Sequence, residues 1–337
     1  MTRSRERTMP QALLAVWLAG VMGAWAEGWG GRLGYTVFAG DNLTRLERGE
    51  VVGKRATLDR MPNSMAVQTC FLAPLPLDRT ALALMNWDPS KFPELGVRQH
   101  EAASVPTRLE DFERLRLRPD FGPDRVMLER SAALAGGSLA QIVSQGELAL
   151  FDSYRSEPAM AWRRLLWGRI AKYQKSGLKE MPSYDGVRPP FRVQAGWQQL
   201  VSLTPEVTRR FIDLLQVSLN DPQRKVEQGK QKFYWEVLTI QGETAFLAGA
   251  INQEAGGESV RTADLQFYVT GPFASALILH EMWPVTWQGN PATLVWRGDY
   301  VILPTAVTGQ GIERMASENL LLQEVRRAVD AFLKSCR

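Results

Sequence analysis

The chain has 337 residues, 45% of them hydrophobic and 23% charged, with a formal net charge of +4. That is apolar enough for a proper core and long enough for one large domain or two small ones. The charge is too small and too mixed to argue for nucleic acid, and two histidines and two cysteines scattered this widely do not make a metal site.

The first residues carry Arg3, Arg5 and Arg7 against Glu6, then an apolar run from Ala12 to Met22, then Ala24-Trp25-Ala26. Charge, apolar run and small-x-small site in that order spell a cleavable signal peptide over residues 1–26. The run is shorter than the about 20 apolar residues that span a bilayer. No later run approaches that length, so the expectation is an exported bacterial protein, periplasmic or extracellular, with no transmembrane segment after cleavage. Without the signal the net charge falls to +2.

Residues 27–60 hold charges and glycines without clear periodicity and read as a flexible mature N-terminus. Gly28, Gly30 and Gly34 lack dinucleotide-fingerprint spacing. Asn42-Leu43-Thr44 fits a glycosylation acceptor, relevant only in a eukaryotic secretory pathway. Residues 61–337 read as a single α+β domain. Met65–Leu72 is a predicted strand, broken by Ala73-Pro74-Leu75-Pro76. Asp78 opens a short helix through Leu82, Leu84 and Met85, ended by Asp88-Pro89, and Leu95–His100 is a second strand. An oxidising compartment would permit a Cys70–Cys336 bridge, although sequence alone cannot bring the sulfurs together.

Residues 104–220 read as helical. Thr107-x-x-Glu110 and Ser144-x-x-Glu147 are capping boxes. Pro158 opens a helix through Trp162, Leu166, Ile170 and Tyr173, closed by Gly177. Its Arg163, Arg164, Arg169, Lys172 and Lys175 fit a solvated face better than a lipid-binding one. Thr204-Pro205 opens another helix. From Phe233 five strands follow, at 233–240, 244–251, 260–270, 275–287 and 292–303. The links are a Gln241-Gly242 turn, a Glu254–Gly257 loop, Gly271-Pro272 and Gln288-Gly289. Links this short leave no room for crossover helices, so the strands form an antiparallel β-meander. A helix from 312 to 333, with Met315, Leu322, Val325, Val329 and Phe332 on one stripe widened by Leu320 and Leu321, must pack on that sheet.

Val67–Asp88 (VQTCFLAPLPLDRTALALMNWD), the meander and the 312–332 helix together resemble the START-like, or helix-grip, superfamily over residues 65–100 and 233–335. That resemblance implies a sheet gripping a long C-terminal helix around a cavity for an apolar ligand, with residues 104–220 as a helical insertion. Trp283–Met315 also resembles exported bacterial proteins of uncharacterised function.

No zincin pair, Gly-x-Ser-x-Gly elbow or phosphate loop is present, so no cofactor, metal or catalytic residue is assigned. Arg297 and Asp299, two apart, share a strand face. They read as an ordinary ion pair or as groups orienting a polar ligand head against tryptophan walls. Glu281, Trp283, Trp296 and His280 complete the candidate ligand-binding set, with His280 and Glu281 facing opposite ways. The expected function is non-enzymatic binding of a lipid or other apolar small molecule. One alternative is an exported hydrolase using Glu281 and Asp299, which need a separation of roughly 5 to 9.5 Å. The other is an envelope structural or interaction protein without a pocket.

Overall fold

The computed structural model describes residues 31–41, 43–56, 58, 60–138, 142–224, 230–304 and 312–336. The signal-peptide segment, Gly28, Gly30 and Asn42 lie outside them. The architecture is α+β. Eight strands form one open antiparallel sheet: β1 (Val52–Arg55), β2 (Ser64–Ala73), β3 (Val97–Ala103), β4 (Lys230–Ile240), β5 (Glu243–Gly256), β6 (Ser259–Val269), β7 (Ser275–Trp287) and β8 (Asn290–Ile302). Their spatial order is β1-β2-β8-β7-β6-β5-β4-β3. The meander therefore runs β4 to β8, β3 pairs onto β4, and β2 returns to pair with β8.

The helices are α1 (Thr44–Glu47), α2 (Leu77–Met85), α3 (Gly122–Ala135), α4 (Leu148–Ser153), α5 (Pro158–Ser176), α6 (Val193–Leu203), α7 (Pro205–Arg210), α8 (Ile212–Leu219) and α9 (Ile312–Ser335). α9 and α2 lie on one face of the sheet, here the inner face. α3 to α8 lie on the other, the outer face.

Turn chemistry explains the hairpins. Gln241 and Gly242 have φ of 53° and 81°, and Gln288 and Gly289 have 50° and 79°. Two successive left-handed residues follow the right-handed twist of the flanking strands, and glycine takes the second position without steric cost. The Glu254–Gly257 loop is shorter than expected. β5 continues through Gly256 and leaves a two-residue turn before Ser259.

The outer face holds most of the core. Trp162 packs on Phe246, Tyr173 stacks on Phe267 with centroids 4.1 Å apart, and Phe112 stacks on Trp235. A register shift between β5 and β6 lets the adjacent Phe267 and Tyr268 join the same cluster. Arg169 on the basic helix is not solvated. It is 1% exposed, lies over the Tyr268 ring and donates two bonds to Glu147. The Ser144–Glu147 capping box forms. The one placed at Thr107–Glu110 shifts by one residue, because Asp111 collects the amides of Ser104 and Arg108.

Two further expectations are corrected, and a bridge that the compartment would only have permitted does not form. Residues from 31 onward are not a flexible tail: Leu33, Phe38 and Leu46 are fully buried, and β1 extends the sheet beside β2. Met315 lies off the buried stripe of α9 at 45% exposure, whereas Val325, Val329 and Phe332 are on it. Cys70 and Cys336 are both free. Cys70 points to the outer-face cluster and Cys336 packs with the inner-face one, so the sheet stands between the thiols.

Candidate functional site

Between the inner face and α9 is a cavity of about 540 Å³. Helix periodicity supplies its roof, with Leu321, Val325, Ala328, Val329 and Phe332 on one side of α9. One end is aromatic: Trp87 stacks on Phe92 with centroids at 5.0 Å and meets Phe332 edge-on at 5.5 Å. At the other end lie Gln241, Phe273 and the half-exposed Leu320.

Across the floor runs a belt of polar side chains. Strand alternation aims them all inward: His100 on β3, Tyr234 and Glu236 on β4, Asp264 on β6, His280 on β7, and Arg297 and Asp299 on β8. Register aligns the belt, with His100 opposite Glu236 and His280 opposite Arg297. His100 Nδ1 lies 2.8 Å from Glu236 Oε1. Tyr234 Oη donates to Asp264 Oδ1 at 2.7 Å, reaching past β5. That reach depends on Gly249, where a Cβ would come 2.4 Å from the Tyr234 ring. His280 Nδ1 is 3.0 Å from Thr262 Oγ1. Arg297 holds Asp299 through Nε at 2.8 Å and Nη2 at 2.6 Å.

The environment tunes these groups. Burial raises the Asp264 carboxyl to about 7, with Glu236 adding to the rise and the Tyr234 hydrogen bond, His100 and Arg297 opposing it. Removing an ion from water disfavours its charged form, so this carboxyl takes a proton near neutrality. Burial, then the Asp264 charge, keeps the Tyr234 phenol well above its usual value and therefore a donor. Burial, then Arg297, holds the His280 imidazole well below its usual value, so it stays neutral. The Nε2 atoms of both histidines are buried and have no hydrogen-bond partner among the described residues.

The structure divides the predicted site residues. Arg297, Asp299 and His280 line the cavity together. The Arg297–Asp299 pair is not a surface pair, since its side chains are 14% and 6% exposed beneath α9. Glu281, Trp283 and Trp296 are on the outer face and take no part in the cavity. Glu281 pairs in register with Trp296, and Asp299 with Ile278, so the two carboxylates sit on opposite sides of the sheet. The hydrolytic pair therefore has no geometry. Tryptophan walls are also absent there: Trp87 is the one tryptophan lining the cavity among the described residues.

Glu281 instead joins four segments. It is fully buried and accepts from Tyr35 Oη at 2.8 Å, Arg210 Nε at 2.8 Å and Ser259 Oγ at 2.8 Å. Trp296 Nε1 donates to Gln68 at 3.1 Å, with its ring against Tyr35 and Phe211.

His100, Tyr234, Glu236 and Asp264 were not among the residues expected at the site. A weak signal exists in the alternation of β4, where Tyr234 and Glu236 interleave with Phe233, Trp235 and Val237. Polar residues between large apolar ones mark a face with a different environment, but not a cavity.

Fold and site define an α+β protein whose open antiparallel sheet and C-terminal helix enclose a largely apolar cavity with a polar floor. No family model, curated protein or solved structure matches the chain.

Proposed function

We propose that this chain is a non-enzymatic binding protein that holds an apolar small molecule or lipid between the inner sheet face and α9. The observation that carries the reading is the cavity of about 540 Å³, whose size and make-up suit a small ligand. Apolar walls supply affinity, and a few convergent polar groups fix orientation. Support also comes from the chain order strand, short helix, strand, meander, long helix, which accords with the START-like resemblance. In this reading the protein acts outside the cytoplasm, with the segment 1–26 as its export signal.

Native mass spectrometry of the protein purified from its source without delipidation tests the reading. The expected result is a bound mass of a few hundred daltons, released by organic solvent. Recovery of bare protein that also fails to take up any alkyl-chain probe overturns it.

A further inference from the structure

We infer that the ligand of this cavity carries a hydroxyl group, seated at the Nε2 atom of His280 beside Arg297, and is not a free carboxylic acid. The inference rests on the binding reading above and deepens it.

Two observations carry it. The first is an uncommitted buried atom. His280 is 5% exposed, it lines the cavity, and its Nδ1 is engaged by Thr262. Its Nε2 has no partner among the described residues. Buried polar groups are nearly always paired, and an exception in a cavity wall points to a group supplied from the cavity. Thr262 can donate to Nδ1 or accept from it, which leaves Nε2 as N–H or as lone pair respectively. A hydroxyl both donates and accepts, so it completes either tautomer. A carboxylate completes only one.

The second observation is charge. The Arg297 guanidinium, the cation nearest His280, already holds Asp299 through two nitrogens. The belt carries three carboxyl groups, on Glu236, Asp264 and Asp299. Against them stand Arg297 and Lys232, the latter further along β4 and partly exposed. An incoming carboxylate at His280 would face the Asp299 and Glu236 carboxyl groups, with Asp264 partly protonated near neutrality, while the nearest guanidinium is already neutralised by Asp299. A neutral hydroxyl meets no such opposition, and the cavity walls accept the remaining hydrocarbon.

Isothermal titration at pH 7.5 with decan-1-ol and with decanoate tests the inference. The expected result is decan-1-ol binding at least ten-fold more tightly than decanoate. His280→Leu should cost about ten-fold of the alcohol affinity and narrow its preference over decanoate. His280→Gln should restore most of the loss by returning an amide nitrogen near the Nε2 position. Equal or tighter binding of decanoate, above all if it is lost in Lys232→Gln, overturns the head-group inference while the cavity reading stands. An unchanged alcohol affinity in folded His280→Leu also overturns it. Failure of both probes to bind the folded wild-type protein overturns the cavity reading itself. If the variants do not fold, the wild-type preference between the two probes decides alone.

Discussion

The two faces of the sheet treat buried polar groups in opposite ways. On the outer face, Glu281 collects donors from the N-terminal segment, α7 and β6, and Asp124 collects Arg98, Thr244 and the Arg118 amide. These carboxylates are surrounded by their own chain, and most of their bonds tie distant segments together. On the inner face the belt is built of pairs that stop short. His100 and His280 each use one ring nitrogen and leave the other without a partner among the described residues. A polar group that closes on itself is a structural tie, whereas one left open beside a cavity is available to a ligand.

That contrast can be broken by measurement. The largest effect is expected at Asp264. Its folded-state value of about 7 lies above its ordinary 3.8, so the folded protein binds the proton more tightly than the unfolded chain. Stability therefore falls as pH rises from about 4 to about 7 and is level above. Asp264→Asn removes this loss. Measured by urea unfolding, the variant should gain on the wild type across that window by up to about 4 kcal/mol, at about 1.4 kcal/mol per pKa unit. A constant difference between pH 4 and 8 would erase the distinction between the faces at this residue.

Glu281→Ala should do the reverse. It deprives Tyr35, Arg210 and Ser259 of their common acceptor and should cost about 3 kcal/mol. The affinity of the folded fraction for decan-1-ol should stay unchanged. A shift in affinity would mean the outer face communicates with the cavity.

Gly249→Ala tests the floor. The added carbon displaces Tyr234 from Asp264 and should cost about 2 kcal/mol from overpacking. It should also weaken alkyl-chain binding, which titration calorimetry would read. The smallest effect is expected at Leu320. Already 54% exposed, its change to Ala should alter unfolding free energy by less than about 0.5 kcal/mol.

Much of the fold was legible because its signals are local. The Gln-Gly turns, the five meander strands and the long last helix are each specified within a few residues, and β7 runs over Ser275–Trp287 as its pattern predicts. The site was legible only in part. Arg297 and Asp299 could be placed on one face by their spacing, and His280 opposite in direction to Glu281. Which face holds a cavity depends on what covers it. Placement of the helical insertion over the outer face is a tertiary fact with no local signature, so Trp296 and Trp283 were counted in the ligand set although they lie on the face away from the cavity. The belt itself is a matter of register. His100 and Glu236 are 136 positions apart and meet only because β3 pairs with β4. The N-terminal segment misled for a related reason. Its Leu33, Phe38 and Leu46 are too sparse for periodicity, yet each is fully buried in the outer-face cluster.

The position of β2 bears on the order in which the chain can assemble. Neighbours in the meander are joined by short links, so β4 to β8 can zip together one hairpin at a time. β2 has no such route. Its partner on one side is β8, with Phe71 opposite Val295 and Val67 opposite Asp299. Nearly the whole polypeptide must be synthesised before that ladder can form, and the loop to be closed spans more than half the molecule. Non-local pairings of this kind form late and slowly. Until β8 exists, β2 is an apolar segment in search of an edge, which exposes the nascent chain to aggregation. The same delay leaves β1 and β2 without a place in the sheet for as long as β8 is missing.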